Sequence, residues 1–165
     1  MIFESKVGEE SISIIQQLAN KTWKAAYSSI ISPEQIKYML DLFYSEASLL
    51  KQMQDGHQFI VAKEKDLAIG FASYSPKTVE ESKIYRLHKL YVDPDKQGKG
   101  VGRLLTGYII NDIGFYNATA LELNVNRNNK ALYFYQKFGF KIIKEENIDI
   151  GHGYFMNDYV MELSL

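Results

Sequence analysis

The segment Leu87 to Leu105, LHKLYVDPDKQGKGVGRLL, holds the strongest structural signal in the chain. Its first residues have the composition of a strand, and Asp93-Pro94 ends that strand because proline cannot continue a central ladder. Three glycines follow at every second position: Gly98, Gly100 and Gly102. Apolar residues then recur at helical spacing. The segment therefore predicts a strand, a glycine-rich turn and a helix.

The glycine-rich turn has the properties of an anion-binding site. Glycine tolerates positive φ and lets a ligand approach the backbone closely. The first N–H groups of a helix lack intrahelical acceptors, and with the helix dipole they favour a phosphate or pyrophosphate. Lys99 and Arg103 add positive charge. A tight turn without a ligand is the alternative. A Walker A loop does not fit, because Lys99 precedes Gly100, and a Rossmann turn requires G-x-G-x-x-G.

Length and composition indicate an ordinary globular protein. Of the 165 residues, 46% are hydrophobic and 24% are charged, so we expect one domain over residues 1–165. The net charge of −1 argues against a nucleic-acid partner. The absence of cysteine excludes thiol catalysis, and the three histidines lack the spacing of a metal site. No membrane span or signal peptide is evident, so a cytoplasmic protein is expected.

Hydrophobic periodicity predicts a mixed α/β (α+β) fold. Strands are predicted at Ile2–Val7, His57–Lys63, Leu67–Ser75, Lys83–Val92, Ala120–Val125, Phe140–Ile150 and Tyr154–Leu163. Helices are predicted after Ser11, after Ser32, over Ser45–Gln54, from the glycine-rich turn to about Tyr116, and over Asn129–Phe138. Ser32, Pro33 and Gln35 form a capping-box start. The residues that alternation places on one face of the fourth strand are Arg86, His88, Leu90 and Val92.

Two motifs together resemble the GCN5-related N-acetyltransferase (GNAT) family. Gln97 to Gly102, QGKGVG, matches the Q/R-x-x-G-x-G/A acetyl-CoA loop of that family. Asn129-Lys130-Ala131, followed by FYQKFGF over Phe134–Phe140, is similar to its second signature. The resemblance covers about residues 2–164. It implies a single GNAT-like domain with a mixed, mostly antiparallel sheet, helices on both faces and a splayed pair of parallel strands.

A narrower resemblance is to the PaiA-type polyamine (spermidine/spermine) N-acetyltransferases. The segments that carry it are Thr22–Tyr27, the Ser32-Pro33-Glu34 helix start, and YFMND over Tyr154–Asp158. This branch would imply a polyamine as the acceptor of the acetyl group.

The family resemblance implies acetyl-CoA as co-substrate, lying where the strands Lys83–Val92 and Ala120–Val125 splay apart. The backbone groups implied for the pantetheine arm are those of Leu90, Tyr91 and Val92. Those implied for the pyrophosphate belong to Gln97, Gly98, Lys99, Gly100, Val101, Gly102 and Arg103. An asparagine after the second splayed strand would also contact the co-substrate. Motif spacing favours Asn129 or Asn128, with Asn126 also available, and helix capping is the alternative role.

The same resemblance implies the catalytic residues. The family uses a tyrosine at the position of Tyr135 to protonate the departing CoA thiolate, and a phenol is protonated at neutral pH. A core role for Tyr135, or competition from Tyr133, is the alternative. Relatives often have a carboxylate base where this chain has Arg86 and His88. His88 titrates near neutrality and is the candidate base. A structural histidine with water-relayed deprotonation is the alternative.

The residues predicted to contact the acceptor are Trp23, Tyr27, Arg86 and Tyr154. Aromatic rings suit an amine through cation–π contacts, whereas Arg86 would repel a cationic acceptor unless a carboxylate neutralises it. A core role for Trp23 is the alternative.

The sequence therefore predicts an acetyl-CoA-dependent N-acetyltransferase. A primary amine, either a small amine or a polyamine, would attack the thioester directly in a ternary complex. The alternatives are an acetyltransferase for peptide or protein N-termini, a non-catalytic acyl-CoA sensor, and a dinucleotide-binding protein. The resemblance also admits a homodimer with the C-terminal hairpin as the contact surface.

Overall fold

The computed structural model describes residues 2–165, which contain a seven-stranded sheet. Its strands are β1 (Ile2–Val7), β2 (Gln58–Glu64), β3 (Leu67–Pro76), β4 (Ile84–Val92), β5 (Ala120–Asn126), β6 (Lys141–Gly151) and β7 (Tyr154–Ser164). The order across the sheet is β1-β2-β3-β4-β5-β7-β6. The β4–β5 pair is parallel, and the other neighbouring pairs are antiparallel. The predicted mixed, mostly antiparallel sheet with one parallel pair is confirmed.

The described residues form five α-helices. They are α1 (Ile12–Tyr27), α2 (Pro33–Tyr44), α3 (Glu46–Gln54), α4 (Val101–Gly114) and α5 (Ala131–Phe138). Ser32 Oγ caps α2 by accepting the Gln35 N–H at 3.1 Å. The predicted capping box is wrong in its second half, because the Gln35 side chain donates to the Phe155 carbonyl oxygen at 3.2 Å. Helix α5 begins two residues later than predicted, where Asn129 Oδ1 accepts the Ala131 N–H at 2.9 Å.

The helices cover both faces of the sheet, and each face has its own apolar core. Helices α4 and α5 lie over a core that includes Ile109 and Leu121. Helices α1, α2 and α3 lie over a second core that includes Ile15 and Leu49. Strand β4 contributes side chains to both cores, so packed apolar side chains hold it in place from both faces of the sheet.

Strand β4 changes face at His88. Tyr74 of β3 lies opposite Leu87, whereas Ser73 lies opposite Lys89, so His88 is an extra residue that forms a β-bulge. As a result Leu87 and Leu90 both pack beneath α4. The Lys89 ammonium instead lies over the Tyr44 and Phe59 rings of the other core. The face predicted to hold Arg86, His88, Leu90 and Val92 together is therefore wrong, since one extra residue reverses the alternation.

Strands β4 and β5 also separate at this point. Within the described chain their parallel register covers only Ile84–Leu87 against Ala120–Leu123. Strand β4 nevertheless continues to Val92, and β5 continues to Asn126. From His88 onward the edge of β4 that faces β5 is open, and a V-shaped gap separates the two strands. The predicted splayed pair is confirmed.

Candidate active site

The glycine-rich turn links the end of β4 to α4. Gly98 and Gly100 have φ values of +76° and +82°, and a Cβ at either position would meet open space. Side chains are strained in this left-handed region, so the turn suits glycine and leaves room for a ligand. Gly100 is also the N-cap of the 14-residue α4, and no side chain within residues 2–165 caps that end. The free N–H groups of the first turn fit the pyrophosphate of acetyl-CoA.

The other residues of the turn differ in what they offer a ligand. Val101 is buried, so only its backbone faces the turn. A Cβ on Gly102 would lie 3.3 Å from Phe134 Cζ, so glycine at this position allows α4 and α5 to pack closely. Lys99 is exposed, while the Arg103 guanidinium lies 5.6 Å from the centre of the Phe138 ring. The N–H groups rather than the side chains form the candidate pyrophosphate site.

Tyrosines from three elements meet at the gap. The hydroxyl of Tyr27 lies 3.2 Å from that of Tyr91 and accepts a hydrogen bond from the Asn129 side chain at 3.4 Å. Tyr135 of α5 is buried, and burial followed by the proximity of Tyr27 raises its pKa above the ordinary value. Its phenol therefore keeps the proton that a general acid needs. Tyr133 is 69% exposed and lies outside this group.

The three candidate asparagines have different surroundings. Asn129 is half-buried and joins the tyrosines, as described above. Asn128 is exposed, and its N–H donates to Asn126 Oδ1 at 2.9 Å. Asn126 itself lines the adjoining cavity. Asn129 is therefore the candidate asparagine that contacts the tyrosines at the gap. The hydrogen bond of Asn128 goes to Asn126 instead.

A cavity of about 420 Å³ lies on the α1–α3 side of the gap. Its lining includes Trp23, Tyr27, Ile31, Met39, Phe43, Tyr44, Gln52, His57, Arg86, His88, Lys89, Tyr91, Asn124, Ile148, Phe155, Met156 and Asp158. The Tyr38 hydroxyl donates to the Ile150 carbonyl oxygen at 2.6 Å, which joins α2 to the β6–β7 hairpin beside this space. The volume and the mainly apolar lining are typical of a small-molecule site.

Three of the four predicted acceptor contacts line this cavity. Trp23 is also part of the core, since it is 5% exposed and its indole N–H donates to the Tyr44 hydroxyl at 3.2 Å. Among residues 2–165, those that line the cavity do not include Tyr154. The centre of its ring lies 5.4 Å from the centre of the Tyr38 ring. The structure therefore separates Tyr154 from the other three.

His88 lies at the edge of the cavity in a fixed orientation. Its Nε2 lies 2.7 Å from Ser75 Oγ, and its ring stacks on that of His57 with centroids 4.0 Å apart. Although the residue is exposed, desolvation of its imidazole, followed by the nearby His57, Lys89 and Arg86, lowers its pKa to about 3. This lowered pKa argues against the prediction that His88 titrates near neutrality, which took account neither of desolvation nor of His57.

Two carboxylates balance part of the positive charge around the cavity. Glu122, which is 4% exposed, pairs with Arg86 at 3.5 Å and with Lys77 at 3.2 Å. Asp158, which is 3% exposed, accepts a hydrogen bond from Asn124 Nδ2 at 3.3 Å. Burial raises the pKa of Asp158, and the Asn124 bond opposes that rise. The repulsion predicted between Arg86 and a cationic acceptor is therefore partly offset by Glu122.

Sequence patterns missed several residues of the site. His57, Gln52 and Asn124 lack any motif, and only the fold brings them to the cavity. Lys89 was hidden by the assumption of regular alternation along β4. The described residues, 2–165, contain no group of three or more His, Cys, Asp or Glu side chains arranged to hold a metal ion. None of the helices in that part of the chain is long and apolar enough to cross a membrane.

Comparison with known proteins assigns the family. The model of the acetyltransferase (GNAT) domain matches residues 27–163, and the chain belongs to the GNAT acetyltransferase family. The predicted resemblance is thereby confirmed. Enzymes of this family use acetyl-CoA as co-substrate, which agrees with the glycine-rich turn and the open edge of β4.

Curated relatives match part of the chain. The peptidyl-lysine N-acetyltransferase YjaB of Escherichia coli is 32% identical over 92 residues, which make up 55% of this chain and 54% of that protein. The L-amino acid N-acyltransferase MnaT of E. coli is 28% identical over 89 residues, 53% of this chain and 52% of that protein. The chain thus spans about half the length of these relatives.

Solved structures match the whole fold. The PaiA N-acetyltransferase from Thermoplasma acidophilum, in complex with coenzyme A, has a TM-score of 0.84 and 25% identity, covering 100% of this chain and 99% of that one. The ribosomal-protein-S18-alanine N-acetyltransferase of E. coli has a TM-score of 0.74 at 17% identity, covering 99% and 94%. The second comparison concerns the fold alone.

Proposed function

We propose that this protein transfers an acetyl group from acetyl-CoA to the primary amine of a small molecule that enters the cavity. One coincidence supports this function: the bulge at His88, the end of the β4–β5 pairing and the edge of the cavity lie at the same place. Acetyl-CoA would lie in the gap, and the acceptor would reach it from the cavity. Direct transfer in a ternary complex requires this kind of juxtaposition.

The chemistry follows from the groups around that point. The neutral amine attacks the thioester carbonyl, a C–N bond forms, and the C–S bond breaks. Tyr135 protonates the departing thiolate, and backbone N–H groups along the open edge of β4 suit the developing oxyanion. The proton of the amine leaves through water. His88 serves as a neutral partner of Ser75, because a group with a pKa of about 3 is a weak base at neutral pH.

The cavity favours a small acceptor over a folded protein. Helix α2 and the β6–β7 hairpin adjoin it and are joined by the Tyr38 and Gln35 hydrogen bonds. The similarity to the PaiA structure supports a polyamine as one such acceptor. The proposal therefore concerns small primary amines as a class, with polyamines as a member to be tested.

Release of free CoA from acetyl-CoA tests the proposal. A thiol reagent reports CoA directly, because the protein has no cysteine. Release with a small amine is expected, whereas release only with peptides would contradict the proposed acceptor class. If acetyl-CoA raises the thermal stability of the protein but no amine causes release of CoA, the sensor alternative is favoured.

A glycine variant tests the co-substrate site separately. Gly100→Glu places a carboxylate where the pyrophosphate is expected and should abolish stabilisation by acetyl-CoA. Gly56→Glu is the matched control, since Gly56 also has positive φ, at +95°, with open space around its Cβ position. Full affinity for acetyl-CoA in Gly100→Glu would refute the assignment.

A further inference from the structure

Lys89 has an environment that the proposed chemistry does not explain. It is the one lysine or arginine among residues 2–165 that is buried, with 9% exposure. Its ammonium lies 5.2 Å from the centre of the Tyr44 ring and 5.9 Å from that of Phe59. No carboxylate in the described chain pairs with it, and burial lowers its pKa to about 8. A buried cation without a counter-ion is costly to the fold.

The surroundings of Lys89 hold other polar atoms that lack a partner. His57 Nδ1 and Gln52 Oε1 are buried and make no hydrogen bond within residues 2–165. Both residues line the same cavity as Lys89. The charge of Lys89 acts on His57, because it contributes to the lowered pKa of that imidazole after burial itself. Together these groups form a polar, positively charged part of the cavity wall.

The opposite charge lies elsewhere on the cavity wall. Asp158 is paired through β7 with Asn126 at the end of β5, and its charge acts on the phenol of Tyr27. That phenol belongs to the tyrosine group at the gap. Asp158 therefore stands on the side where the acceptor amine must react. The cavity thus offers an anion near the reacting end and a cation at Lys89.

We propose that the acceptor amine also carries a carboxylate, that Lys89 binds this carboxylate, and that the acceptor is therefore an amino acid. The inference rests on the proposed acetyltransferase function and narrows its substrate class. Lys89 supplies the counter-charge, and His57 Nδ1 can donate a second hydrogen bond in the suitable tautomer. A polyamine would bring further positive charge to a wall that already carries an unpaired cation.

Matched acceptors test this proposal. Because the lining is mainly apolar, L-leucine and 3-methylbutylamine form a suitable pair that differs only in the carboxylate. Acetyl-CoA turnover should favour L-leucine through a lower KM, by about ten- to a hundredfold, the usual range for a hydrogen bond to a charged group. Spermidine should be a poor acceptor. Ethanolamine phosphate, compared with ethanolamine, distinguishes recognition of a phosphate from that of a carboxylate.

Variants of Lys89 identify the residue responsible. Lys89→Met removes the charge at nearly constant length and should raise the KM for L-leucine far more than that for 3-methylbutylamine, so that the preference between the two is lost. Lys89→Arg retains the charge and should restore part of the preference. Lys24→Met changes an exposed lysine of α1 and is the matched control. Thermal unfolding of each variant establishes that it is folded.

A binding measurement separates this proposal from the proposed function. In the presence of CoA, calorimetry compares N-acetyl-L-leucine with N-acetyl-3-methylbutylamine, and needs no turnover. Tighter binding of the carboxylate compound, lost in Lys89→Met, supports the proposal even if no amine is acetylated, and only the enzyme assignment then fails. Equal binding of the two compounds, or a preference that survives in folded Lys89→Met, overturns it. A preference for ethanolamine phosphate over L-leucine overturns the amino-acid assignment.

Discussion

The hydroxyl of Tyr27 on α1 lies 3.2 Å from the hydroxyl of Tyr91 on β4. This contact joins a helix beside the acceptor cavity to the strand whose open edge faces the gap. Burial raises the pKa of both phenols, so both keep their protons and one must donate to the other. Asn129 extends the unit by donating to Tyr27 at 3.4 Å. Hydrogen bonds thus link the proposed acceptor side and the proposed co-substrate side of the site.

Replacing Tyr135 by phenylalanine should lower kcat with little change in the affinity for acetyl-CoA. The buried ring stays, so the fold is kept, but the proton for the thiolate is lost. Because proton transfer by a positioned group is worth about a hundredfold or more, we expect a decrease of that order in steady-state turnover.

Tyr133→Phe is the control for that experiment, since Tyr133 is on the same helix and is 69% exposed. It should leave kcat unchanged. Undiminished turnover in Tyr135→Phe would assign Tyr135 to the core alone.

His88→Gln should leave kcat within about threefold of the original value. Glutamine is neutral and can still bond to Ser75, which is the role that the geometry gives to His88. A general base would instead contribute about a hundredfold or more, and its loss would alter the acidic limb of the pH–rate profile. His152→Gln in the hairpin turn is the control. A hundredfold decrease in kcat in His88→Gln but not in His152→Gln would show that His88 is the general base.

Lys89→Met should increase the free energy of unfolding near pH 7. Burial lowers the Lys89 pKa from 10.5 to about 8. Below pH 8 both the folded and the unfolded chain carry this proton, so the cost of burying the charge is present in full. Between pH 8 and 10.5 the unfolded chain binds more protons, and stability rises with pH.

The gain from Lys89→Met should accordingly shrink by about 3 kcal/mol between pH 7 and pH 10.5, which is about 2.5 pKa units converted to energy. Denaturant unfolding at the two pH values measures it. A gain that does not depend on pH would mean that the methionine acts through packing rather than through the missing charge. Lys24→Met should show neither effect.

Glu122→Gln should destabilise the fold by about 2 kcal/mol. The carboxylate is buried and pairs with both Lys77 and Arg86, so its removal leaves Arg86 without a paired carboxylate and Lys77 with only the exposed Glu81. The loss stays below the 3–5 kcal/mol of a fully buried pair, because both cations are partly exposed and can turn to water.

Glu81→Gln provides the comparison for Glu122→Gln. Glu81 pairs with the same Lys77, at 3.7 Å, but its side chain is 48% exposed. An exposed pair is worth less than 1 kcal/mol. Equal losses from the two variants, measured by denaturant unfolding, would show that the burial of Glu122 contributes nothing.

Local signals in the sequence were sufficient to predict the helices and strands and the proposed co-substrate side of the site. Ser32 before Pro33 marks the start of α2, and the glycines mark the turn, because caps and positive φ are properties of single residues. The acceptor side depends on pairing between segments. The bulge at His88 arises from the register of β3 on β4. The lowered pKa of His88 arises first from desolvation and then from His57, which is distant in sequence, with Lys89 and Arg86 of the same strand adding to it. No pattern within β4 predicts the register or the contact with His57.

Because of the bulge, residue 88 separates two halves of β4, and side chains alternate regularly between the two faces of the sheet within each half. A chain shortened by that one residue would leave Leu87, Lys89 and Leu90 alternating regularly on the faces that they already occupy, and it would remove the bulge itself. Exchange of the side chain at 88 keeps this bend of the backbone, whereas deletion of the residue removes it. The residues of β4 before position 88 and those after it can also be substituted independently. Preference for the acceptor can therefore evolve through substitutions along the cavity wall while the backbone proposed to bind the co-substrate is kept.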